Sequence, residues 1–380
     1  MSDGVLVVFG TRPEAVKLAP VVNSLRGRVD VKVCVTAQHR QMLDQVLDAF
    51  AIRPDFDLDL MKSNQDLFDI TANALLALRQ VLSQERPRLV LVQGDTTTTF
   101  VAALASFYLR VEVGHVEAGL RTHDKQRPFP EEINRHMTTA LADWHFPPTE
   151  WARDNLRHEH VAAERIFVTG NTGIDALLSI VTGIETGRIK PTLPPEVTAR
   201  LGKGRMILVT GHRRESFGGG FENICQALRR IVDAHPDLTL VYPVHLNPNV
   251  QEPVHRLLGN HDRIVLTPPL DYVPFVDLMR RATLILTDSG GIQEEAPSIG
   301  KPVLVMRETT ERPEGVKAGV ARLVGTNVER IVSTVHELLT DAAHYRAMAS
   351  PMNPYGDGKA AERIAVVVEQ IVAGKQPNLA

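Results

Sequence analysis

At 380 residues and 43% hydrophobic content, the chain exceeds the usual size of one domain and carries enough apolar material for two buried cores. Lys+Arg 42 against Asp+Glu 45 gives a formal net charge of -3 without a basic block, which argues against a nucleic-acid surface, whose affinity rests on clustered phosphate neutralisation. Val5–Phe9 is the one apolar run near the N-terminus, with no Lys or Arg before it, and no later segment is long and apolar enough to span a bilayer; neither signal peptide nor membrane anchor is expected, and the expected location is cytoplasmic.

Short runs rich in Val, Ile and Leu alternate with helical patterns. They are Val5–Phe9, Val31–Thr36, Leu89–Gln93, Glu112–Val116 and Ile166–Thr169, then Met206–Thr210, Leu238–Val241, Ile264–Thr267, Leu284–Thr287 and Val303–Met306. That rhythm predicts an α/β fold with parallel sheets flanked by helices. Leu18, Val21, Val22 and Leu25 have the spacing of a helix packed on a sheet, with a kink expected at Pro20. Thr186–Lys203 contains Pro191, Pro194 and Pro195 and lacks a strand pattern, so it is expected to hold the domain connection. The chain then divides near residue 185 into domains 1–185 and 186–355. Residues 356–380, with an amphipathic stretch Ala360–Ile371, are expected to form a last helix returning to the first domain. Cys34 and Cys225 fall in a predicted strand and a predicted helix without metal-ligand spacing and read as small core residues.

Several strand ends carry polar groups. Val5–Phe9 runs into Gly10-Thr11-Arg12-Pro13-Glu14-Ala15-Val16-Lys17, where Gly10 suits a tight turn and Pro13 a first helical position. Helix N-termini favour anions, so Lys17 can join Arg12 on a phosphate; two solvated cations are the simpler reading of this segment alone. The absence of GxGxxG speaks against a dinucleotide site. Asp95, in Gly94-Asp95-Thr96-Thr97-Thr98-Thr99, falls at a strand end where ligands bind, but on spacing alone it reads as a helix N-cap. In Val113–Arg121, His115 and Glu117 alternate onto one strand face; Glu117 is either held for acid–base work or paired with Arg121, and both stay open. Glu131 and Arg135 have the spacing of an ordinary i, i+4 pair.

Further along, Gly211–Gly220 combines His212, Arg213 and Arg214 with glycine-rich backbone able to approach an anion, a diphosphate cradle. Thr287–Glu295 joins a strand to a short helix whose start can donate amide hydrogens to phosphate, with Glu295 one turn on as an acceptor for a ribose diol. Leu270 and Phe275, in the loop after Ile264–Thr267, can flank a uracil ring, although core packing is the commoner fate of such residues. Arg307, Arg312 and Lys317 add positive charge after the next strand. His158 and His160 lack partners at ligand spacing, so no metal site is expected.

Taken together, GTRPEAVKLAP, TAQHRQMLDQV, GDTTTT, GHVEAGLRT, PEEINR, TGHRRESFG, YPVHLNP, LTDSGGIQEEAPSIGKPVLVMRETTERPEG and NPYGDG closely resemble the non-hydrolysing bacterial UDP-N-acetylglucosamine 2-epimerases, over nearly the whole chain. The resemblance implies two Rossmann-like parallel-sheet domains in a glycosyltransferase-B-like arrangement, a nucleotide between them, a homodimer and no cofactor. It implies UDP-N-acetylglucosamine and UDP-N-acetylmannosamine as substrates. Arg12 and Lys17 then bind the diphosphate, His212 approaches a phosphate, Ser289, Gly290 and Gly291 cradle phosphates, Glu295 holds ribose and Arg312 occupies another binding position. Asp95, Glu117 and Glu131 match the acidic residues of proton transfer. Leu270 and Phe275 stand by the uracil, Leu270 where some relatives carry glutamine. Gln38, Gln41 and His245 match positions at which many relatives bind a second UDP-N-acetylglucosamine as activator, and Asn64 stands where some have arginine, so retained but weakened allostery is expected.

The sugar C2 is not adjacent to a carbonyl, so simple enolisation cannot acidify its proton. Loss of UDP from C1 as a base takes the C2 proton avoids this, and calls for cations on the diphosphate and carboxylates on both faces of the 2-acetamidoglucal. A glycosyltransferase of the same fold is the nearest alternative, but its common Glu-x7-Glu arrangement is not reproduced around Asp288–Glu295.

Overall fold

Two six-stranded parallel sheets organise the protein in a computed structural model that describes residues 4–36, 40–61, 65–202, 204–350 and 353–379. The chain forms two units: residues up to Ser179 together with those from Gly356 onward, and Ile180–Tyr355.

The first unit begins with β1 (Val5–Phe9), α1 (Arg12–Leu25), β2 (Val31–Val35), α2 (Arg40–Ala49), β3 (Phe56–Asp57) and α3 (Leu67–Glu85). It continues through β4 (Leu89–Gln93), α4 (Thr97–Tyr108), β5 (Glu112–Val116), α5 (Glu131–Leu141), β6 (Trp144–Phe146) and α6 (Glu150–His158). The chain leaves this unit within α7 (Thr172–Glu185). Its strand order is β3-β2-β1-β4-β5-β6. Leu6, Val8, Val90, Val92 and Val113 of the central strands pack with Leu78, Leu82 and Val101 of α3 and α4 in one core. On α1, Leu18, Val21, Val22 and Leu25 are all buried, and the helix runs unbroken through Pro20.

The second unit contains α8 (Pro195–Arg200), β7 (Arg205–Thr210), α9 (Gly219–Ala234), β8 (Leu238–Pro243), α10 (Pro248–Leu258), β9 (Ile264–Thr267) and α11 (Tyr272–Arg281). Then come β10 (Leu284–Thr287), α12 (Gly290–Glu295), β11 (Val303–Val305), α13 (Pro313–Lys317), β12 (Ala321–Leu323), α14 (Val328–Thr340) and α15 (Ala342–Met348). Its order, β12-β11-β10-β7-β8-β9, repeats that of the first sheet. Ile207, Val209, Phe221, Leu240, Tyr242 and Leu286 belong to its core. The chain then re-enters the first unit, where α16 (Ala360–Val372) packs on α1.

The sequence pattern overlooks β3, β6 and β12. All three are edge strands of two or three residues, too short for an apolar run and interrupted by polar or bulky side chains. Ile166–Thr169 is not a strand; Ile166 makes a single parallel bridge to His145. Phe275 lies in α11, not in a loop, because the apolar periodicity of Val276 and Met279 begins the helix earlier. Among the described residues no helix is long and apolar enough to cross a membrane.

Candidate functional site

Strand order reverses between β1 and β4 in the first unit, and parallel sheets receive ligands outside the carboxyl ends of strands at such switch points. The loops leaving these strands carry Gly10–Arg12 and Gly94–Asp95. Gly10 is required because a Cβ there would collide with the side chains of Thr36 and Thr98, whose hydroxyls lie 3.0 Å apart. Glu14, 2% exposed, ties the two loops together. Its Oε2 accepts the backbone N–H groups of Gly10 (3.0 Å) and Thr11 (2.7 Å), and its Oε1 accepts the hydroxyls of Thr96 (2.5 Å) and Thr99 (3.0 Å). Burial raises the pKa of this carboxyl against the opposing pull of Thr96 and the backbone donors.

Glu117 follows β5 with φ of +65°, a region L side chains adopt at a cost of about 1–3 kcal/mol. Lys17 donates to its Oε1 and the amide of Gln93 to its Oε2. The carboxylate stands over Gly94, on which a Cβ would lie 3.7 Å from Oε2. The alternative pairing with Arg121 is not formed. Arg121 instead donates to both oxygens of Glu159, at 2.6 and 2.8 Å, and to Thr139.

Asp95 is not the cap of α4; Thr96 is, accepting the N–H of Thr99 at 3.2 Å. Asp95 is held by the Arg135 guanidinium at 2.7 and 2.9 Å, and Asn134 donates to its carbonyl at 2.9 Å. Arg135 also pairs with Glu132 at 2.8 Å rather than with Glu131. Oε2 of Glu131, at the start of α5, is buried with no hydrogen-bond partner among the described residues. Glu132 accepts the N–H groups of Thr122 and His123, both at 2.9 Å, and so fixes the segment before α5. His115 is buried, and its Nε2–H donates to the Gly94 carbonyl at 2.7 Å. Burial drives its pKa down to about 4, with the Arg121 and Arg135 charges adding to the shift, so the ring is neutral and anchors the residue before Asp95.

In the second unit the order reverses between β7 and β10, and again the two following loops meet. Asp288, buried after β10, accepts the backbone N–H groups of His212 (2.7 Å) and Arg213 (2.8 Å), and its Oδ1 lies 3.2 Å from His212 Nδ1. Burial pushes this carboxyl up, but the His212 side chain and the backbone donors outweigh it and hold the pKa below the usual range. The His212 ring thus stands beside Asp288, whose Oδ1 makes no hydrogen bond among the described residues. His245 stacks on His212 with ring centroids 5.4 Å apart. Burial and the His212 charge lower the pKa of His245.

Ser289 precedes α12, its N–H donating to Thr287 Oγ1 at 3.0 Å. Gly290 packs against the Arg312 guanidinium, on which an added Cβ would close to 3.4 Å, while Gly291 faces open space. Arg312 donates to Glu294 at 2.7 Å, and Glu295 ends α12. Leu270 follows β9, half-buried like Phe275. Arg307 offers no open cationic face: it is 6% exposed and bonded to Glu215 (2.5 Å) and Glu311 (2.6 Å), which ties the His212 loop to the loop after β11. Gln38 and Asn64 lie outside the described residues, and Gln41 is placed in α2 without a described side chain. Among the described residues no group of His, Cys, Asp and Glu is arranged to hold a metal ion.

Sequence reasoning does not single out Glu14, Gln93, Glu132 or Asp288 as parts of these clusters. Glu14 carried a signal, the Thr-x-x-Glu spacing of a capping box at Thr11. Gln93 is the polar last residue of an otherwise apolar strand. Asp288 is set by His212 and Arg213, 76 and 75 positions before it, and Glu132 by the loop at Thr122 and His123 that folds back on it; neither has a comparable local mark.

The profile of the UDP-N-acetylglucosamine 2-epimerase family matches residues 23–369. The UDP-N-acetylglucosamine 2-epimerase of Yersinia pestis is 58% identical over 363 residues, covering 95% of this chain and 96% of the relative. That of Escherichia coli is 57% identical over 363 residues, with the same coverage. The crystal structure of UDP-GlcNAc 2-epimerase from Neisseria meningitidis, bound to UDP-GlcNAc, is 48% identical and superposes with a TM-score of 0.86, covering 95% of this chain and 98% of that one. Two sheets of repeated order with clusters at their switch points, and identity above half over almost all the chain, make this protein a member of the UDP-N-acetylglucosamine 2-epimerase family.

Proposed function

We propose that the protein interconverts UDP-N-acetylglucosamine and UDP-N-acetylmannosamine by eliminating and re-adding UDP, with no hydrolysis and no redox step. A carboxylate takes the C2 proton as the C1–oxygen bond breaks, its electrons leaving with UDP, and 2-acetamidoglucal remains. UDP then re-adds at C1 while a carboxylic acid protonates C2 from the opposite face. Asp95, Glu117 and Glu131 serve these proton transfers, and His212 assists at the departing phosphate. Arg12, Lys17 and Arg312 neutralise the diphosphate, with the amides of Ser289, Gly290 and Gly291. Glu295 accepts from the ribose, and Leu270 and Phe275 flank the uracil.

The observation that carries this reading is the gathering of Asp95, Glu117 and the start of α5 at the carboxyl ends of β4 and β5, each carboxylate with different partners. Three carboxylates so differently held suit a reaction that needs both an acid and a base. The Neisseria meningitidis relative bound to UDP-GlcNAc supports the substrate class.

The same reading extends to a cytoplasmic homodimer that supplies UDP-N-acetylmannosamine for cell-envelope polysaccharide, and to activation by a second UDP-N-acetylglucosamine through Gln38, Gln41 and His245. The stacking of His245 on His212 supports that last step, since an activator touching one ring would bear on the other.

The test is incubation of the purified protein, without added cofactor, with UDP-N-acetylglucosamine in deuterated water, followed by NMR. UDP-N-acetylmannosamine carrying deuterium at C2 is the expected product. Free N-acetylmannosamine would mean hydrolysis instead, and product retaining the C2 proton would exclude exchange through the glucal.

A further inference from the structure

Glu117 has two donors, and they are not equivalent. Lys17 on α1 is cationic and partly exposed, so an arriving diphosphate competes with Glu117 for it. Gln93 is 3% exposed and closes β4. Its backbone pairs in register with Val116, and its carbonyl accepts the Thr99 hydroxyl at 2.6 Å. From this fixed base its amide donates to Glu117 Oε2. The backbone of Glu117, at φ of +65°, must itself be held in place by its surroundings.

We propose that Gln93 is a positioning residue for the reaction: it holds the Glu117 carboxylate over Gly94, next to Asp95, and goes on holding it when Lys17 turns to the diphosphate. A neutral amide suits the task because it fixes direction without the full positive charge that would weaken a base. The inference rests on the role of Glu117 in proton transfer. The charged groups near this amide are Glu117 itself and, across it, Lys17 from α1. Glu14 lies one hydroxyl away through Thr99, and His115 of β5 is turned to the Gly94 carbonyl.

The full chain is compared with Gln93→Met, Gln93→Glu and Glu117→Gln in UDP binding and in turnover of UDP-N-acetylglucosamine across pH 6 to 9. Gln93→Met keeps the length and loses the donor. It is expected to bind UDP within about twofold of the wild type and to lose about 10- to 100-fold in kcat with KM little changed. Gln93→Glu sets carboxyl against carboxyl, so the pair shares a proton and the acid limb of the kcat/KM profile moves up by about one pH unit or more. A merely structural role would lower stability in Gln93→Met and leave the kcat of its folded protein in place. Wild-type kcat in Gln93→Met, or an unmoved limb in Gln93→Glu, overturns the inference while an inactive Glu117→Gln keeps the role of Glu117. An active Glu117→Gln removes that role itself, and the inference with it. If Gln93→Met does not fold, Gln93→Asn, whose amide is one methylene short of Glu117, is read on the same scale.

Discussion

Asp95, Glu117 and Glu131 belong to one residue class and have three environments. Asp95 faces a guanidinium, Glu117 an ammonium and an amide, and Glu131 has one oxygen buried without a partner among the described residues. Replacing any one of them by alanine is expected to lower turnover about 100-fold or more while calorimetry finds UDP binding far less changed; unaltered turnover would take that residue out of the proton-transfer set. Glu14 answers to a different measurement. Glu14→Ala leaves the N–H groups of Gly10 and Thr11 without an acceptor and is expected to cost about 2–4 kcal/mol in urea unfolding. Glu14→Gln keeps one oxygen for those two N–H groups and turns its amide to the threonine hydroxyls, which rotate to accept, so it is expected to cost less than about 1 kcal/mol. The charged partners of Asp95 and Glu117 were not legible in sequence, because Arg135 and Lys17 lie 40 and 100 positions away from them.

Elements are matched to one another by burial and by their ends. Asp175 of α7 accepts the Ala361 N–H at 2.8 Å and so caps the start of α16, a pairing 186 positions apart. Burial pushes the Asp175 carboxyl from the usual 3.8 up to about 6, against the lowering effect of the backbone donors. A carboxyl whose folded pKa lies above its unfolded value holds its proton more tightly when folded. Its contribution to stability is therefore present at low pH and is lost as pH rises from about 4 to 6, by about 3 kcal/mol at most. Asp175→Asn removes this titration and keeps an oxygen for Ala361. The stability of the wild type relative to Asp175→Asn, from urea unfolding, is expected to fall between pH 4.5 and 7; a constant difference would show that Asp175 titrates normally. The amphipathic pattern of Ala360–Ile371 was readable as a helix, since its apolar positions recur at helical spacing. Its carboxylate cap was not, because a cap drawn from another helix leaves no local signature.

Each unit buries one cysteine, Cys34 in the core of the first and Cys225 in the core of the second. Burial pushes both thiols up to about 12, far from the thiolate that reacts. Neither is expected to take up iodoacetamide in the native protein, and each reports the opening of its own unit. In a urea titration with pulsed alkylation and mass spectrometry, labelling of Cys34 is expected to follow loss of the first sheet and that of Cys225 loss of the second. Labelling of either in native buffer would contradict the burial. Core truncation in one sheet, such as Leu91→Ala, is expected to advance Cys34 labelling at lower urea, by about 2–5 kcal/mol of lost stability.

By itself the sequence determined that the protein is α/β, that its apolar runs alternate with helices over two cores, and that polar motifs close several strands. Those are properties of neighbouring residues, carried by periodicity, capping and turn chemistry. Only the tertiary structure decided the shared strand order of the two sheets, the short edge strands, the carboxyl hub at Glu14, the partners of Asp95 and Glu117, and the burial of Arg307 between two glutamates. Each of these depends on which distant segments lie side by side, and buried charge finds its partner through space, not along the chain.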